Sequence, residues 1–151
     1  EGWWIVRVSD PEIALRVFRT LERIDAVLYL QRFIRHPGHD VRVLVLGGRL
    51  LGGMRRYATD GFRTNVACRG RAEACPLTET EVSLAARAAA AIGADFAGVD
   101  LLTGPSGEPY VIEVNGVPGW RAFQQATGID VADRVLEWLA TQVESRRKRP
   151  A

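Results

Sequence analysis

Three oxygen-bearing side chains, Asp100, Glu113 and Asn115, stand in or directly after two short runs of β-forming residues, Phe96 to Leu102 and Tyr110 to Val114. A Gly-Pro-Ser-Gly segment joins the runs, and the pattern predicts a β-hairpin. With the turn centred on Ser106 and Gly107, Asp100 lies directly opposite Glu113. Glu113 and Asn115 are two residues apart and therefore share a strand face. The rest of the hairpin is apolar (Val99, Leu101, Val111, Ile112, Val114). Two carboxylates pressed together in such a sheet repel unless a cation lies between them or one takes a proton. Oxygen-only donors suit Mg²⁺, which usually takes one or two carboxylates and completes its shell with substrate phosphates. Asn115 adds a neutral carbonyl oxygen. The other reading is a hairpin whose acids face solvent, bridged to arginines. Spacing alone leaves both open.

The elements that must position these residues are marked along the chain. Trp3 to Val8 reads as a strand. Asp10, Pro11 and Glu12 form a helix start, with Asp10 as N-cap and Pro11 at the first helical position. A mainly helical apolar pattern follows to about Arg23. Val27 to Ile34 reads as a strand running into the loop Arg35–His39. Val41 to Leu46, a Gly47-Gly48 turn and Arg49 to Tyr57 predict a hairpin. On it Arg42 and Arg56 alternate with apolar positions, so each can project from one sheet face. Thr78 and Glu81 make a capping box, opening an alanine-rich helix to about Ile92, stopped by Gly93. A last helix is expected from Ala132 to about Glu144, with disorder from Ser145 and no internal repeats. The element order gives an α+β fold, an antiparallel sheet with flanking helices.

At 151 residues the chain is the size of one domain. Its hydrophobic share of 47% and charged share of 25% are ordinary for a globular protein. A net charge of +2, supplied in good part by Arg146 to Arg149, gives no argument for nucleic acid. No apolar run reaches membrane-spanning length, and the N-terminus lacks a secretory pattern. Neither nucleic acid nor membrane is expected as a partner. Cys68 and Cys75 have no zinc-type spacing and read as free thiols in a reducing, cytoplasmic setting. His36 and His39 lie in a loop without a nearby nucleophile. The chain holds a single lysine, Lys148, all other basic residues being arginine or histidine.

The segments Gly98-Val-Asp-Leu-Leu and Val111-Ile-Glu-Val-Asn-Gly-Val-Pro-Gly resemble the metal-binding end of the ATP-grasp superfamily, in the branch of ribosomal protein S6 glutamate ligase. The resemblance implies that Asp100, Glu113 and Asn115 hold two Mg²⁺ ions (Mn²⁺ as a substitute) against the phosphates of ATP. It implies that the adenine meets the hinge backbone at Arg32, Phe33 and Ile34, although the family usually has an acid at Arg32. Asp40 matches the acid near the ribose, and Arg42 and Arg56 are expected toward phosphates. Phe62-Arg-Thr-Asn matches the family's Arg-Ser-Asn motif, with Thr64 for Ser. It makes Arg63 a candidate for the transferred phosphoryl group, alongside Arg42, and Thr64 and Asn65 candidates for nucleotide or acceptor. Gly116 to Gln125 resembles the loop in which family members hold the acceptor, which makes Trp120, Arg121 and Gln124 candidates for binding it.

Family members ordinarily place two lysines on the nucleotide, both upstream of the matched part. The opening Glu1-Gly-Trp-Trp resembles the end of the family's glycine-rich flap. The chain is therefore expected to be the C-terminal portion, residues 1–144, of a longer ATP-grasp enzyme, inactive in isolation. The implied activity is ATP-dependent addition of L-glutamate to an acceptor carboxylate through an acyl phosphate. The Val-Pro-Gly-Trp-Arg stretch resembles the tetrahydromethanopterin glutamate ligase subgroup, which implies a small-molecule, pterin-type acceptor. The alternatives are a protein C-terminus, a carrier protein, or a non-catalytic nucleotide-binding regulatory module. A homo-oligomer is compatible with all of them.

Overall fold

The computed structural model describes residues 5–58 and 71–147. Helix α1 (Pro11–Glu22) leads to strands β1 (His39–Leu46), β2 (Arg49–Tyr57) and β3 (Ala72–Cys75). Helix α2 (Glu79–Ala91), strands β4 (Phe96–Thr103) and β5 (Pro109–Asn115), and helices α3 (Arg121–Thr127) and α4 (Val131–Arg147) complete the order. The strands form one antiparallel sheet in the order β3-β2-β1-β4-β5.

Each sheet face has its own packing, as a period of two requires. On one face Val41, Val43, Val45, Ala97, Val99 and Leu101 meet Ala85 and Ala89 of α2. The small alanines let the helix approach closely. On the other face Leu44 and Met54 pack with Phe123 of α3 and Val131 of α4. This second core fills only one end of its face. The other end carries charge.

The helix starts stand where the sequence places them. Asp10 accepts from the backbone N–H groups of Glu12 and Ile13 at 2.8 and 3.0 Å. Thr78 and Glu81 form both halves of the capping box, and Gly93, at φ +65°, ends α2 by turning left-handed.

The structure corrects four local expectations. Ile5 to Val8 and Val27 to Ile34 are not strands, because neither stretch finds a ladder partner among the described residues. Val27, Tyr29 and Leu30 are instead exposed. The segment after β5 is not wholly loop, since Arg121 to Thr127 form α3 around the buried Phe123. Ser145 to Arg147 are helical rather than disordered: α4 runs on past Glu144, with Arg146 and Arg147 favourably placed in its last turn.

Both hairpins carry a register shift. In β1/β2, Leu44 pairs with Gly52 but Val45 with Leu50, leaving Leu51 as the extra residue. In β4/β5, Asp100 pairs with Glu113 but Leu101 with Val111, leaving Ile112 extra. The β4/β5 turn is centred on Ser106 rather than between Ser106 and Gly107, with Gly104 N donating to Glu108 O at 2.8 Å. Asp100 still faces Glu113, because the bulge at Ile112 restores the register that the turn removes.

Candidate nucleotide and metal site

The charged end of the second face is built from cross-strand rows. Met54, Arg42, Asp100 and Glu113 lie side by side across β2, β1, β4 and β5. Arg56 and Asp40 form the adjacent row. Gly98 stands opposite Asn115, two positions along from Asp100 and Glu113.

Asp40, Arg56 and Asp100 are buried, at 2%, 3% and 3% exposure. Charges so placed require partners, and they supply them to one another. Arg56 grips Asp40 with a bidentate fork, Nε to Oδ1 at 2.7 Å and Nη2 to Oδ2 at 2.6 Å. The same Nη2 lies 2.9 Å from Asp100 Oδ2. Arg42 makes a second fork on Asp100, at 2.7 Å from each nitrogen. Burial alone would raise the Asp100 carboxyl pKa. The Arg42 hydrogen bonds and the Arg56 charge outweigh it, and the pKa is lowered. Burial would likewise lower the Arg56 guanidinium, but its bonds to Asp40 and the charge of Asp100 raise it well above its ordinary value. Asp100 and Arg56 are thereby both held in their charged forms.

Glu113 is exposed, facing Asp100 from the edge strand. Asn115 Oδ1 accepts from the backbone N–H of Val117 at 2.9 Å, which orients the amide at the end of β5. Pro118 is buried over Gly98, where a Cβ would come within 2.9 Å of the proline Cβ. Two carboxylates and an amide oxygen on one face are a donor set for a hard cation. A carboxylate has about four acceptor positions, and the guanidinium bonds on Asp100 leave one at Oδ1. Asn115 Oδ1 keeps one as well. The set fits Mg²⁺ with Asp100 shared between cation and arginine.

The stretch from Gln31 to Ile34 runs beside this strand. Gln31 Nε2 donates to the carbonyl of Ile112, the bulge residue, at 3.3 Å. The Arg7 guanidinium covers the Phe33 ring at 3.9 Å. Trp120 meets Phe96 edge-on at 5.8 Å between centroids. It therefore has a packing role in addition to any contact with an acceptor. Arg121 and Gln124 follow on α3, the former exposed and the latter half-buried. Arg63, Thr64 and Asn65, with Cys68, lie outside the described residues. Cys75, on β3, is a free thiol.

Sequence reasoning found the positions of Asp40, Arg42, Arg56 and Asp100 but not their mutual pairing. The signal lies in the alternation Asp40, Arg42 on one strand against Arg56 on the next. It becomes readable only when the bulge at Leu51 is counted.

Residues 8–139 match the RimK-like ATP-grasp domain. The chain belongs to that family. This RimK-like domain is 38% identical over 141 residues to a probable alpha-L-glutamate ligase of Trichodesmium erythraeum, covering 92% of this chain and 47% of the relative. Its identity to a protein of the same description from Rhodopirellula baltica is 35% over 146 residues, covering 95% of this chain and 36% of the relative. The RimK-like domain thus spans half or less of the length of these curated relatives. In fold it is similar to a D-alanine–D-alanine ligase of Bacillus anthracis complexed with ATP, at TM-score 0.62 and 21% identity, over 93% of this chain and 50% of that one. It is also similar to the ATP-grasp ligase PsnB complexed with a precursor variant, Mg and ADP, at TM-score 0.61 and 19% identity, over 91% and 52% of the two chains. The fold is that of ATP-grasp proteins, and the expectation of an α+β antiparallel sheet with flanking helices is met.

Proposed function

We propose that the protein of which this chain is part is an ATP-dependent carboxylate–amine ligase that adds L-glutamate to an acceptor carboxylate. The observation that carries the reading is the pairing of Asp100 with Glu113, with Asn115 on the same face, in a RimK-like domain. The relatives' description as probable alpha-L-glutamate ligases supports glutamate as the amine.

Asp100, Glu113 and Asn115 are the residues that would hold Mg²⁺, one ion or two. A cation bound there would supply neutralising charge to the phosphoryl oxygens. Arg42 and Arg63 are the guanidiniums proposed to hold those oxygens by bidentate hydrogen bonds. Arg32, Phe33 and Ile34 offer hinge backbone to the adenine. The acceptor carboxylate attacks the γ-phosphorus, the β–γ bridging bond breaks, and ADP leaves with its electron pair. The glutamate amine then attacks the acyl phosphate and expels inorganic phosphate. Such chemistry depends on positioning and charge neutralisation more than on a protein nucleophile.

The acceptor is proposed to be a small pterin-type molecule, held near Trp120, Arg121 and Gln124. Peptides are the competing class, since two proteins of similar fold, the ATP-grasp ligase PsnB and the macrocyclase MdnC, are each bound to a precursor peptide. The test is ADP formation by the full-length protein with Mg²⁺, ATP, glutamate and a panel of pterin, peptide and carrier-protein acceptors. The control is the double variant Asp100→Asn/Glu113→Gln. Acceptor-dependent ADP with a matching glutamylated product, lost in the control, is the expected result. Nucleotide binding without turnover across the panel would favour a regulatory module instead.

A further inference from the structure

We infer that Arg42 and Arg56 divide their work on Asp100. Arg56 is a fixed positioning residue, whereas Arg42 is exchangeable: it competes with a divalent cation for Asp100 and passes to polyphosphate when cation and nucleotide arrive together. The inference rests on the proposed metal–nucleotide reading and adds to it a role that differs between the two arginines.

The geometry separates them. Arg56 is 3% exposed and bonds two carboxylates at once, Asp40 and Asp100. Moving it would break three charge-assisted contacts and strand charge in a buried row. Among the described residues Arg42 pairs with Asp100 alone, and its side chain is 16% exposed. A phosphate offers a guanidinium the same two-oxygen geometry as the carboxylate it leaves. Arg42 can therefore change partner without losing its fork.

Charge explains why the exchange is coupled. Asp40 and Asp100 balance Arg42 and Arg56, so the cluster is neutral before anything binds. A dication reaching Asp100 meets the positive charge of Arg42 on the same carboxylate, with Glu113 opposite to offset part of it. A polyphosphate supplies the negative charge that draws Arg42 away. Cation and nucleotide should each tighten the other's binding, a reciprocal coupling through one residue. The neutral variant Arg42→Met removes the competitor. It should bind a free cation better than the wild type and show less coupling.

The experiment is Mn²⁺ titration of the full-length protein followed by electron paramagnetic resonance, with and without a non-hydrolysable ATP analogue. Arg42→Met is expected to tighten Mn²⁺ binding in the absence of nucleotide by about fivefold or more. It should also reduce the gain in Mn²⁺ affinity that the analogue brings. Arg42→Lys keeps the charge without the fork and should leave free-cation binding near wild type. Arg56→Met should weaken Mn²⁺ binding, read only on protein whose circular dichroism is native. If wild type binds Mn²⁺ and Arg42→Met leaves the affinity unchanged or lower, the inference is overturned while the metal reading stands. Tighter binding in Arg56→Met overturns the division between the arginines. No Mn²⁺ bound by wild type, with or without the analogue, sinks the metal reading itself.

Discussion

Arg56 Nη2 lies 2.6 Å from Asp40 Oδ2 and 2.9 Å from Asp100 Oδ2, so one buried guanidinium nitrogen joins two acids from different strands. Asp40 and Asp100 come from β1 and β4, and Arg56 reaches both from β2. The contact thereby ties the row expected near the nucleoside to the row expected at the metal. Removing Arg56 should be costly. Arg56→Met takes the bidentate partner from Asp40 and one of the two guanidiniums from Asp100, both carboxylates being buried. A loss of about 3–5 kcal/mol is expected, measured by urea unfolding. A loss below about 1 kcal/mol would show that water replaces the guanidinium there.

Acid should weaken the fold through Asp100. Its folded pKa lies below the ordinary aspartate value of 3.8, so the native chain binds fewer protons than the unfolded one across that interval. The contribution is fully present above the ordinary pKa and is lost as pH falls through the lowered value. Unfolding free energies should therefore decline as pH drops below about 5. Asp100→Asn should flatten that decline even though it starts less stable. An unchanged slope in Asp100→Asn would assign the acid sensitivity to other groups.

Gly98→Ala should damage the site more than the fold. A Cβ at Gly98 meets Pro118 Cβ at 2.9 Å, so the loop after β5 must shift. Asn115 is bonded to Val117 in that loop and should move with it. A roughly tenfold loss in Mn²⁺ affinity is expected, against a stability cost of about 1–3 kcal/mol. Equal affinity in the variant would show that Asn115 holds its place without the proline.

Thr78→Ala tests a part remote from the charged face. Thr78 Oγ1 accepts from Glu81 N at 3.2 Å, and Glu81 Oε2 accepts from Thr78 N at 2.8 Å. Losing the box should cost about 1 kcal/mol and leave Mn²⁺ affinity unaltered. A shift in cation binding would mean that α2 communicates with the opposite face of the sheet.

Much of this protein is readable from local pattern. Asp10, Pro11 and Glu12 start α1, Thr78 and Glu81 start α2, and the apolar runs around Gly47-Gly48 and Ser106-Gly107 become the two hairpins. Caps, turns and alternation act over a few residues, so one chain segment determines them. The resemblance in residues 96–119 likewise marked Asp100, Glu113 and Asn115 without any coordinates. What the sequence left open is which side chains meet. Without the extra residue Leu51, Asp40 would oppose Arg55, which belongs to the α2 side of the sheet. Without the bulge at Ile112, Asp100 would oppose Ile112 and Glu113 would turn away. A single-residue shift inverts every side chain beyond it, and its cause is distributed over the pairing of whole strands. The strands expected at Ile5–Val8 and Val27–Ile34 failed for a related reason, because β-forming residues make a strand only beside a partner. Tertiary pairing alone decided that Asp100 is clamped by two arginines, and that only one of them is placed to let go.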